Sequence, residues 1–248
     1  MAVHWLASGV LGLILAAGPT FVDPAGDAGG APDIRSVDVQ SDADALTFAI
    51  HASDVWQGAA ATLELDTDDN QATGDAGGER GYELSYVLHS NHDSFTLDES
   101  NDVHIAQPAA TWRLEGPTLT IAAPRAELRA GATIAFRVHT LAAAGGDTAP
   151  DSTAAPWRFS PNAVPIGIAA TFTPAAPRHG KSFGVARVTT SFSDGNHGVT
   201  PPACTAKVGR TALRAGCRWH VPANARGRRL AVTVRAAGLA RAYAFRVR

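Results

Sequence analysis

The stretch DIRSVDVQSDADALTFAIHA, Asp33–Ala52, decides the fold class. Its arms, DIRSVDV and ALTFAIHA, alternate apolar and polar residues around the acidic turn SDAD, Ser41–Asp44. Alternation of period two on both sides of a short polar turn predicts a β-hairpin with one buried face. Outward from it the same grammar continues. ATLEL, YELSYVLH, SFTL, TWRLEG, TLTIAA, TIAFRVHTL and PWRF follow at short intervals, punctuated by Gly, Pro, Asp and Asn. Only PRAELRAG (124–131) leaves room for a turn or two of helix. The prediction is an all-β chain built as sandwiches or barrels.

Charge divides the chain in two. Of its 248 residues, 1–160 hold 22 of 23 acids and 7 of 21 bases, a net of about −15. Residues 161–248 hold 14 bases and one acid, Asp194, a net of about +13. Such a break rarely falls within one core, and it sits beside the Pro-rich connector SPNAVPIG (160–167). The expected domains are an acidic sandwich over 21–160, a linker over 161–167 and a basic sandwich over 168–248. The second half carries its own strands: IGIAATFTP, SFGVARVTTSF, CTAKVG, GCRWHVP, RLAVTVRA and YAFRVR. That density suits an immunoglobulin-like sandwich.

Residues 1–20 read as a secretory signal. The apolar run from Trp5 to about Gly18 is too short to span a bilayer, and it ends on the small residues Ala16-Ala17-Gly18, which Pro19 follows. Only the amino terminus and His4 stand where a signal carries Lys or Arg; a misassigned start or a buried first strand are the alternatives. The two cysteines, Cys204 and Cys217, read as one disulfide in an exported chain. They are expected to clip neighbouring strands.

The loop DTDDNQATGDAGGERGYEL (66–84) sets Asp66, Asp68 and Asn70 at alternate positions after a strand. Calcium takes six to eight oxygens, about 2.3–2.6 Å away, from carboxylates, amides, backbone carbonyls and water. The first three ligand positions of an EF-hand share this spacing. The rest departs from it, because Gln71 stands at the glycine position and Gly77 at the bidentate glutamate position. A looser calcium loop could close with Asp75, Glu79 or Glu83; the alternatives are a solvated Asx-rich turn or an acidic catalytic pair.

FVDPAGDAGGAPDIRSVDV, the loop D-x-D-x-N-x-x-T-G and DTAPDSTAAPWRF together resemble the N-terminal domain of secreted actinobacterial proteins. Those domains are similar to the family-9 carbohydrate-binding module and to DOMON-like sandwiches. The resemblance spans residues 21–160 and implies a jelly-roll-like sandwich with structural calcium at Asp66, Asp68 and Asn70. The tail GKSFGVARV…C…CRWHVP…AFRVR resembles immunoglobulin-like and fibronectin-like modules.

Other motifs carry less. GKSFG (180–184) matches a nucleophile elbow by letter, but that motif needs a strand-to-helix turn and here a strand follows Ser182. It fails as a P-loop because Ala175 occupies the first glycine position. HSNHD (89–93) lacks the helical H-E-x-x-H of a zinc protease. Asp98, Glu99 and Asp102 supply carboxylates without a defined separation. Of Trp56, Trp112, Trp157 and Trp219 as sugar platforms, Trp219 is expected to face the core, and Trp56 is the best candidate for exposure. Arg226, Arg228 and Arg229 show no aromatic interleaving, so no nucleic-acid partner is expected.

The sequence reading is therefore a non-enzymatic, secreted or cell-surface monomer without a membrane span. It has a calcium-stabilised first module, and its basic second module meets a cell-wall polyanion or polysaccharide, or its own acidic half. The alternatives are a carbohydrate-binding protein and an uncharacterised hydrolase.

Overall fold

The computed structural model describes residues 18–56, 58–74, 81–91, 93–98, 110–128 and 131–248, and the backbone of 103–105. The expected signal lies outside the described residues as far as residue 17. The first half begins with β1 (Thr20–Val22), β2 (Ile34–Ser41), β3 (Ala45–Ala52), β4 (Ala60–Asp66), β5 (Leu84–Leu88) and β6 (Ser94–Asp98). It continues with β7 (Val103–Ile105), β8 (Thr111–Glu115), β9 (Thr118–Pro124), α1 (Arg125–Leu128), β10 (Ile134–Ala142), β11 (Gly145–Ala149) and β12 (Trp157–Phe159).

The opening stretch is the β2–β3 hairpin, paired antiparallel from Ile34–Ala52 to Ser41–Leu46. The turn is held by Asp42, whose Oδ1 accepts from the N–H groups of Asp44 and Ala45, both at 2.8 Å. Those same bonds lower the carboxyl pKa of Asp42. On β3, Leu46, Phe48 and Ile50 face inward at every second residue. On β2 the inward residues are Ile34, Val37 and Val39, a spacing that breaks the period. A bulge between Ile34 and Ser36 absorbs the extra residue and returns all three to one face.

Two antiparallel sheets enclose this core. One runs β1-β2-β3-β9-β8; the other runs β11-β10-β4-β5-β6-β7, with β12 also on β10. Phe136 on β10 stands edge-on to Phe21 and Phe48, at 5.0 and 5.4 Å between centroids, and so joins the sheets. Each such pair contributes about 0.5–1.5 kcal/mol beyond its buried area. Trp56 is 1% exposed, and its Nε1–H donates to the Pro117 carbonyl at 3.1 Å. The tryptophan that the sequence offered as the best candidate for exposure is thus buried: the indole closes the sandwich, and the hydrogen bond satisfies its one polar atom.

The second half comprises β13 (Pro165–Thr173), β14 (Ser182–Phe192), β15 (His197–Val199), β16 (Ala203–Val208), β17 (Thr211–Ala212), β18 (Arg218–His220), β19 (Arg229–Ala236) and β20 (Leu239–Arg246). Sheets β13-β14-β15, with β18 on β14, and β17-β16-β19-β20 form a second antiparallel sandwich with its own core. Strand β13 takes in Pro165–Gly167, the end of the expected linker. Phe172 and Phe183 stack at 5.4 Å, and Trp219 faces the core as expected.

Cys204 and Cys217 are bonded. Cys204 lies on β16, and Cys217 precedes β18 in the opposite sheet, where its carbonyl accepts from Val185 N–H. The bridge thus joins the two sheets, a correction to the expected clip between neighbouring strands. Chain order misleads here because β16 and β18 are close in sequence but pair in different sheets.

Candidate metal centre

Strand β4 ends at Asp66, and β5 begins at Leu84, so the acidic loop leaves and re-enters one sheet. Its arms close backbone against backbone. A Cβ at Gly74 would sit 2.2 Å from the Tyr82 carbonyl oxygen, and one at Gly81 would sit 2.8 Å from Gln71 Cα. Both glycines also have positive φ, so neither position tolerates a side chain. Asp69, with φ 56°, turns the chain between its neighbours; Asp accepts this conformation better than most residues.

This folding brings Asp66, Asp68 and Glu83 together, with one carboxylate oxygen from each lying within 4.8 Å of the others. Glu83 Oε2 also accepts from Thr67 N–H at 2.6 Å, and Thr73 Oγ1 reaches both Glu83 Oε1 at 2.9 Å and Asp68 Oδ1 at 3.1 Å. Asp66 is 3% exposed. Burial pushes its carboxyl up to about 6, the Glu83 and Asp68 charges push the same way, and the hydrogen bond from Asn70 N–H opposes them. A buried carboxylate beside two others fits a hard divalent cation, which supplies the missing positive charge through oxygen ligands alone.

Asn70 enters differently. Its N–H donates to Asp66 Oδ1 at 3.1 Å and to Asp68 Oδ1 at 3.0 Å, while its Oδ1 accepts from Ala72 N–H at 3.2 Å. Its side chain shapes the turn and its backbone orients the two carboxylates. Asp75 and Glu79 lie outside the described residues, as do His92, Glu99 and Asp102. Arg158 pairs with Asp69 at 2.6 Å.

Ser182 opens β14 opposite His220, and no helix follows it, as expected from the sequence. His89 packs edge-on to Phe95. Missed by sequence reasoning is a second group, Asp23, Asp27 and Asp147, whose carboxylate oxygens also lie within 4.8 Å of one another. Asp147 lies more than a hundred residues from Asp23 and Asp27, and only the acidic character of DPAGD and GGDTAPD hinted at them.

Five of the basic residues of the second half line two adjoining clefts. Arg226, Arg246 and Arg248 line a cleft of about 720 Å³ with Pro177 and Phe245. Arg178, Lys181 and Arg248 line an adjoining cleft of about 560 Å³. The edge is pinned by backbone bonds from His179 N–H to the Arg248 carbonyl and from Arg248 N–H to the Pro177 carbonyl, each 3.0 Å. Among the described residues, no helix is long and apolar enough to cross a membrane.

No protein-family model matches the chain. No curated protein matches it. Among solved structures, one titled "Structure of amphioxus IgVJ-C2 molecule" is similar at 11% identity over 81% of this chain and 95% of that chain, with a TM-score of 0.23. The all-β assignment rests on the antiparallel sheets themselves.

Proposed function

We propose that this is an exported, non-catalytic binding protein whose basic second sandwich grips a polyanion and whose acidic first sandwich is stabilised by calcium at Asp66, Asp68 and Glu83. The observation that supports it best is the convergence of Arg178, Lys181, Arg226, Arg246 and Arg248 on two clefts that share Arg248. Five exposed cations lining two adjoining clefts suit a repeating phosphate or sulfate polymer better than a single small ligand, because each anionic unit can meet a separate side chain. The bonded cysteines fit an oxidising compartment such as the cell exterior.

The test is retention of the full chain on an immobilised glycerol-phosphate polymer, eluted with rising salt. Arg226→Glu/Arg246→Glu should elute at markedly lower salt, because two attractive contacts with the polyanion become repulsive and less salt then screens the remainder. Elution unchanged from wild type would overturn the assignment of the edge.

A further inference from the structure

The loop from β1 to β2 and the strand β11 meet where the two sheets of the first sandwich approach each other. Asp23 follows β1, and its N–H donates to the Arg35 carbonyl at 3.1 Å. Asp33 precedes β2, and Asp147 lies within β11. Asp147 fastens the sheets together: its Oδ2 accepts from Ile34 N–H at 2.6 Å, and its Oδ1 accepts from Thr148 N–H at 2.7 Å. Asp33 Oδ2 accepts from Gly26 N–H at 3.1 Å and pairs with Arg35 at 3.0 Å.

Asp23 is different. It is 5% exposed, and both its carboxylate oxygens are buried without a hydrogen-bond partner among the described residues. Oxygens of Asp27 and Asp147 face it within 4.8 Å. Asp33, 8% exposed, also has an unpartnered buried oxygen, Oδ1. A buried carboxylate without hydrogen bonds is strongly disfavoured unless a counter-charge compensates. Here the neighbours add repulsion instead. Burial first, then the Asp147 and Asp27 charges, push the Asp23 carboxyl up to about 7. Arg35, the guanidinium paired at this place, is engaged by Asp33.

We infer that Asp23, Asp27 and Asp147 form a second divalent-cation site of calcium type, separate from the Asp66 loop, that clamps the β1–β2 edge of one sheet to β11 of the other. The donor set is oxygen only, which selects a hard cation. Asp27 is exposed and supplies the entry side, while Asp23 and Asp147 form the buried floor. The bound ion would satisfy both orphaned oxygens of Asp23 in one step. The site is independent of the polyanion reading.

The test uses the full chain with the loop site disabled by Asp68→Asn. Calcium titrated calorimetrically into this variant should still bind with a stoichiometry near one, and millimolar calcium should raise its melting temperature over the chelated protein. Adding Asp27→Asn, a change at an exposed position, should weaken that binding at least tenfold. Adding Asp23→Asn instead should abolish the calcium response while raising the melting temperature in chelator, because it removes a buried charge. No calcium heat and no melting shift in the Asp68→Asn protein would overturn the inference. So would binding that survives both Asp27→Asn and Asp23→Asn undiminished.

Discussion

The carboxylate of Asp194 accepts a hydrogen bond from Ser160 N–H at 2.9 Å, so the only acid of the basic half holds the first residue of the connector. Asn196 completes the grip. It donates from Nδ2 to Asp194 Oδ2 at 2.9 Å and to the Arg158 carbonyl at 2.8 Å. Val164 N–H reaches Ser193 Oγ at 3.1 Å, and Ser41 Oγ reaches the Pro161 carbonyl at 2.5 Å. The connector is thus bonded from both sides.

Asp194→Ala/Asn196→Ala should free it. Each net hydrogen bond is worth about 0.5–1.5 kcal/mol, enough in sum to raise local opening tenfold or more. Limited proteolysis should cut near residues 160–164 at least several times faster in the variant, with both cores melting as before. Equal cutting rates would show that the grip does not hold the connector.

The disulfide makes a separable contribution. Its cysteines lie 13 residues apart, and closing a loop of that size is worth roughly 3 kcal/mol by chain entropy. Cys204→Ala/Cys217→Ala should lower the stability of the second sandwich by about 2–3 kcal/mol in urea unfolding and leave the first untouched. A loss shared by both sandwiches would mean that they unfold as one unit.

The pair His51–Asp38 predicts a pH dependence. His51 Nε2 lies 3.0 Å from Asp38 Oδ2, and the Thr20 hydroxyl donates to Asp38 Oδ1 at 2.6 Å. The hydrogen bond to Asp38 raises the His51 pKa above its ordinary 6.5, outweighing its burial. Burial works upward on Asp38, but the bonds from His51 and Thr20 prevail and hold it below 3.8. The imidazolium therefore adds stability that is fully present below pH about 6.5 and fades as pH rises through the raised folded value. The carboxylate adds stability that is present above pH about 3.9 and fades as pH falls through its depressed value. Both groups are more than a third exposed, so the expected gain is only about 0.2–1 kcal/mol. His51→Gln should remove the decline near neutral pH in a series of melting curves. NMR titration of His51 with a midpoint at or below 6.5 would refute the pairing.

Strand positions were legible because alternation reports directly on a half-buried sheet. Leu46, Phe48 and Ile50 on β3 face inward in the expected phase. What the pattern could not show was contact across the sandwich. Trp56 sits in a turn-like context, SDVWQG, yet the approach of Pro117 buries it. Cys204 and Cys217 were paired correctly, but the sheets they join depend on which partner each strand chooses. The same reason hid Asp23 and Asp147, which meet only because β1–β2 and β11 lie at adjoining sheet edges. Local spacing drew attention to Asp66 and Asp68 and left Asp75, Glu79 and Glu83 as closing candidates; the loop's closure sets Glu83 beside the pair, while Asp75 and Glu79 lie outside the described residues.

The loop itself makes the last prediction. Calcium that binds the folded state alone stabilises it by RT ln(1 + [L]/Kd), about 2.7 kcal/mol at a hundredfold excess over Kd. Asp68→Asn is the informative variant, because an amide oxygen can still accept the bonds from Asn70 N–H and Thr73 Oγ1 that shape the turn. It should reduce the calcium-induced rise in melting temperature while leaving the chelated protein as stable as wild type or slightly more so. Glu115→Gln, an exposed acid on the facing sheet, should leave the rise intact. Magnesium should substitute poorly, since it demands a compact octahedron and gives up water reluctantly. Equal calcium responses in wild type and Asp68→Asn would return DTDDN to a solvated Asx turn. Removal of the whole response by Asp68→Asn would place all the calcium on this loop and none at Asp23.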